Sequence, residues 1–180
     1  VVSLLTIDPM NHTITGSNDL PGWDSLITLL EEPNHPDSSK VWVVGSNDLG
    51  GLVQAFELSE SGELLPVSGD PTPLGFGTNP RGAAWLGEEL CVGVQNNMRA
   101  SIIRINPNNR SNINTKPLVH KTGSENFIIS EMVSAGNKLF VTGSESIPRS
   151  KPEDFFLIAL GTLGGELQNL WSVHMGDTRE

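Results

Sequence analysis

The chain has 180 residues, 37% of them hydrophobic, and its single cysteine rules out an internal disulfide or a Cys-based zinc framework. The formal net charge is −10 and the 11 Lys and Arg residues are scattered, which argues against a nucleic-acid partner. No run approaches the roughly 20 apolar residues of a membrane-spanning helix, so no membrane partner is expected either.

Nineteen glycines and twelve prolines beside only 18% charged residues suit an all-β chain of short strands and many turns. In chain order, residues 3–9 and then Thr13-Ile14 read as a strand and its return. Ser25-Leu26-Ile27-Thr28-Leu29-Leu30 is the next strand, and residues 31–39, with Pro33 and Pro36, read as an exposed loop. Lys40-Val41-Trp42-Val43-Val44-Gly45-Ser46 follows, then residues 52–58, closed by Ser61-Gly62-Glu63-Leu64. The same series then recurs. Residues 82–86 lead through Gly87-Glu88 to 89–95 and on to 101–105; residues 129–133 lead through Gly136-Asn137 to 138–144 and 155–160. Val43, Val92 and Val141 mark one position of this repeat, 49 residues apart each time.

Strands of this length at this spacing predict antiparallel meanders, and a lone meander cannot bury both of its faces. Stacked four-stranded blades can, so a β-propeller is the expected architecture, with a β-sandwich as the alternative. The expected blades are residues 24–69, 78–118 and 125–170, with the end of an earlier blade at 1–23 and the start of another at 171–180. That is about three and a half blades of a ring that usually holds four to eight. The remaining blades, from another chain or further sequence, are therefore the expected partner. The strands at 40–46, 89–95 and 138–144 are expected to be central and covered on both faces, burying Trp42, Cys91 and Phe140 alike.

Residues 41–105 resemble two consecutive blades of the seven-bladed lactonase-like propellers, the 6-phosphogluconolactonase and carboxymuconate-cyclase type. The matching stretches are Val53-Gln54-Ala55-Phe56-Glu57-Leu58 with Ser61-Gly62-Glu63-Leu64-Leu65-Pro66-Val67, then Asn79-Pro80-Arg81-Gly82-Ala83-Ala84 and Leu90-Cys91-Val92. The resemblance implies an enzyme that hydrolyses or isomerises a small anionic sugar-acid or muconate-type lactone at the mouth of the channel. The position after the Pro-Arg pair, often histidine in such proteins, is Gly82 here. A non-catalytic propeller that binds a protein or glycan is the alternative function.

Ligand chemistry is expected near the first strand of each blade. Arg81 has the fork geometry for a carboxylate or phosphate, and Glu131 lies on the corresponding strand of the next blade. Asp24, Asn79, Glu125 and Asn126 offer the oxygen donors that Ca²⁺ takes in lactonase propellers; otherwise no cofactor is expected. His12, His35, His120 and His174 form no constellation in the sequence and are expected at the surface. Cys91, within Leu90-Cys91-Val92, is expected to be an inert core thiol.

Overall fold

The computed structural model describes residues 2–8, 10, 13–33, 40–60, 63–67, 71–97, 99–118, 126–146 and 154–175. Among them the chain is all-β, with fifteen strands in four antiparallel sheets and no helix. It divides into two compact units, Val1–Gly77 and Thr78–Glu180.

In the first unit, β1 (Val2–Asp8) and β2 (Thr13–Leu20) form a two-stranded sheet. Beside it, β3 (Ser25–Glu31), β4 (Lys40–Asn47), β5 (Gly50–Leu58) and β6 (Leu64–Pro66) pair in sequence order. One more strand, β7 (Thr72–Phe76), joins the far side of β5. The fourth position of this sheet is thus split. Strand β6 pairs with Phe56–Leu58, while β7 pairs with the Gly50–Val53 end. Pro66 and Pro73 lack an N–H and are tolerated because this is a sheet edge. The sheet therefore reaches past residue 69, where the sequence places the end of the repeat. Leu4, Leu20, Trp23, Val43 and Phe56 form the core between the two sheets.

The second unit holds two four-stranded meanders. The first is β8 (Asn79–Leu86), β9 (Glu89–Asn96), β10 (Arg99–Ile105) and β11 (Asn112–Pro117). The second is β12 (Asn126–Ala135), β13 (Lys138–Ser146), β14 (Asp154–Leu163) and β15 (Glu166–Met175). Ala84, Cys91 and Ile102 of the first cluster with Ile129, Met132, Leu139, Val141 and Ile158 of the second, so the sheets pack face to face. The turns at Gly87, Gly136 and Gly164 use left-handed backbone, with φ of 63°, 60° and 62°.

The repeated runs are β4, β9 and β13, the second strands of three separate sheets. Val43, Val92 and Val141 pair with Gln54, Ile103 and Ile158 at equivalent points. Strands β4 and β9 are interior along most of their length. Strand β13 departs from that pattern. Leu139 and Val141 are fully buried, but Phe140 is only half-buried, because just one face of this sheet is covered. Residues 171–173, expected to open a further blade, instead lie within β15, just past a bulge at Leu170.

Candidate functional site

The first strand of each meander breaks register against the second at one equivalent point. The breaks fall between Leu26 and Thr28, between Pro80 and Gly82, and between Ile129 and Glu131. Each leaves one unpaired residue, namely Ile27, Arg81 and Ser130. A β-bulge of this kind bends the strand and re-aims its side chain, and bulges concentrate next to functional sites. Of the three bulged residues only Arg81 is charged. It is exposed and, among the described residues, has no hydrogen-bond or ion-pair partner.

In the second unit β8, which carries Asn79 and Arg81, packs against β12. The register, however, puts Glu131 on the side of β12 that points away from β8–β11, so the two strands do not bring Glu131 to Arg81. The two strands touch where Gly82 lies against Met132: a β-carbon on Gly82 would stand 3.4 Å from the Met132 nitrogen and 3.6 Å from its Cβ. Gly82 and Gly93 are paired across β8 and β9, and together they leave a hollow that the Met132 side chain fills. At Gly82 a β-carbon would make ordinary van der Waals contact with Met132; the close approach is at Gly93, where it would run into the Met132 sulfur.

Asn79 and Glu131 are exposed. Asp24 is exposed too, anchored through its backbone N–H to the Ser46 carbonyl at 2.8 Å, but it belongs to the first unit. Asn126 opens β12. Glu125, His12, His35, His120 and residues 34–39 of the expected loop lie outside the described residues. Among the described residues, no three His, Cys, Asp or Glu side chains come together as metal ligands.

Two polar constellations were not foreseen. Glu145, 4% exposed at the end of β13, meets His174 Nδ1 at 2.6 Å across the end of β14. His174 is therefore half-buried and paired, not a solvated surface histidine. The second is Arg104 on β10, 3% exposed. Its Nε donates to Glu89 at 2.7 Å and its Nη1 to the Gly165 carbonyl at 2.6 Å, and Nη2 also reaches Glu89. Gly165 lies in the β14–β15 turn, so Arg104 staples the two sheets of the unit. It borders a polar cavity of about 450 Å³ lined by Glu88, Glu89, Asn106, Asn108 and Thr162.

Cys91 is fully buried, and burial pushes its thiol up to about 12; the Arg104 charge pulls it back and Glu89 adds to the rise. It is held as a neutral thiol in the core. No protein-family model matches the chain, and no curated protein matches its sequence.

Proposed function

We propose that these sheets are blades of a lactonase-like β-propeller, and that their first strands present Arg81 to a small anionic ligand of the sugar-acid or muconate-lactone class. The observation behind this reading is Arg81 itself, an exposed guanidinium, without a partner among the described residues, at a bulge that recurs in three sheets. A guanidinium already satisfied by a neighbouring carboxylate has little to offer an anion, whereas this one is open to form a bidentate contact. Asn79, two residues before Arg81 on the same strand, would orient hydroxyls of the same ligand. In this reading the remaining blades, from further sequence or another chain, complete the ring.

Calorimetric titration with gluconate and with glucose, on wild type and Arg81→Ala, tests the binding step. Loss of a charge-assisted contact of roughly 1.5–3 kcal/mol should weaken gluconate binding tenfold or more and leave glucose unchanged. Equal effects on both ligands would sink the proposal. Turnover of lactones by the complete ring separates the enzyme from a second reading, a non-catalytic propeller that binds a protein or glycan.

A further inference from the structure

Cross-strand pairs share a face, so the register assigns every side chain of the last sheet to one side. Leu139, Val141, Ile158 and Leu160 point to the sheet β8–β11 and are buried. Val133, Phe140, Phe155, Trp171, Val173 and Met175 point the other way. Val133, Phe155, Trp171, Val173 and Met175 are 56%, 61%, 42%, 46% and 59% exposed. Phe140 and Trp171 already lean together, ring centroids 6.1 Å apart.

We infer that this face of β12–β15 is an interface between copies of this chain, covered by a β-sheet of a second copy. The repeat supplies the argument for the occupant. Phe140 and Leu157 are equivalent to Cys91 and Ile102, whose side of the sheet β8–β11 is covered by β12–β15 itself. One face of this meander is thus already a sheet-docking surface within the chain, and the same face of the next meander lies open. Size and charge agree. Four strands about 4.8 Å apart and about eight residues long present roughly 500 Å² in projection, room for one four-stranded sheet of a second copy. The charged side chains on this face are Glu131, Lys138 and Glu166, both signs together, while the chain as a whole carries −10. Copies therefore meet here with less repulsion than through surfaces that carry the acidic excess. The inference rests on the described sheets and stands apart from the ligand reading of Arg81. In a propeller, the second copy would supply the next blade.

Light scattering across a dilution series of the full chain should give twice the chain mass, falling to the monomer on dilution. Val173→Lys and Phe155→Lys should each weaken this association at least about tenfold, because a lysine cannot be desolvated there without a partner. Leu49→Lys, at a 61% exposed site in the first unit, should leave it intact. Circular dichroism checks that each variant folds. Val173→Thr, which keeps the β-branch, is the milder change if a lysine variant does not, and it should also shift the equilibrium towards monomer. In a Trp85→Phe background, needed because Trp85 is itself half-buried, acrylamide quenching of Trp171 should fall as the dimer forms, since Trp23 and Trp42 are only 3% and 2% exposed already. A monomer at every concentration, whatever else binds the face, would overturn the inference. So would a dimer that survives both lysine variants, or one that Leu49→Lys dissolves.

Discussion

Cys91 shows how far a single side chain could be read in advance. Its place between Leu90 and Val92 in an apolar run announces burial, and it is 0% exposed. An unfolded thiol ionises above its ordinary value of 9.0, while the folded one stays protonated to about 12. The raised value means that the contribution to stability is complete below pH 9 and is lost as pH rises towards 12. Urea melts of wild type and Cys91→Ala should therefore draw together by about 1.4 kcal/mol per pH unit in that window. At pH 8 a disulfide reagent should label Cys91 only after denaturation; rapid labelling of the native chain would contradict its burial. Arg104 is the opposite case. Nothing in Ile102-Ile103-Arg104-Ile105 says that a charge in an apolar strand reaches Glu89 and the turn of the next sheet, because both partners are fixed by sheet packing. Arg104→Met fills the space but leaves Glu89 and the Gly165 carbonyl without their donor, and should cost roughly 2–3 kcal/mol in a denaturant melt. His174 was equally illegible. The bulge between Ala159 and Leu160 resets the side-chain alternation of β15, so the face of His174 cannot be counted from the sequence.

At the level of the strand, the spacing of 49 carried the reading, since it locates β4, β9 and β13 without any knowledge of their partners. The bulges that give the candidate site its geometry left no such mark, although glycines report on two of them. Gly45 and Gly143 are equivalent, each on the second strand opposite the break. A β-carbon there would run into the carbonyl of Ser25 or Ile128, and would come within 2.8 Å of the Trp23 ring or 2.7 Å of the Phe156 ring. Both obstacles include backbone held in a sheet and cannot swing aside. Gly143→Ala should therefore lose about 2–3 kcal/mol or fail to fold. Gly136→Ala, in open space with φ of 60°, should lose only about 1 kcal/mol. Comparable melts for the two would mean that the bulge does not press β12 against β13. Strand β7 escaped notice for a related reason: Pro71 and Pro73 argue against a strand unless its position at an edge is already known.

Across the whole molecule, charge and apolar surface oppose one another, and salt separates them. A net charge of −10 makes two copies repel at long range, whereas the contact proposed between them is apolar with few charges. Screening shortens that repulsion from about 14 Å in 50 mM salt to about 4 Å in 500 mM, and leaves the apolar contact intact. Self-association through β12–β15 should therefore tighten as sodium chloride is raised. Binding of an anion to Arg81 should weaken over the same range, because an exposed guanidinium and a carboxylate attract through the medium that salt screens. The two proposals thus predict opposite signs in one titration series, read by light scattering for association and by calorimetry for the ligand. Dimerisation that weakens with salt would place ion pairs, not the Phe140 and Trp171 face, at the interface. Anion binding indifferent to salt would move the ligand off Arg81 into a site where its charge is buried.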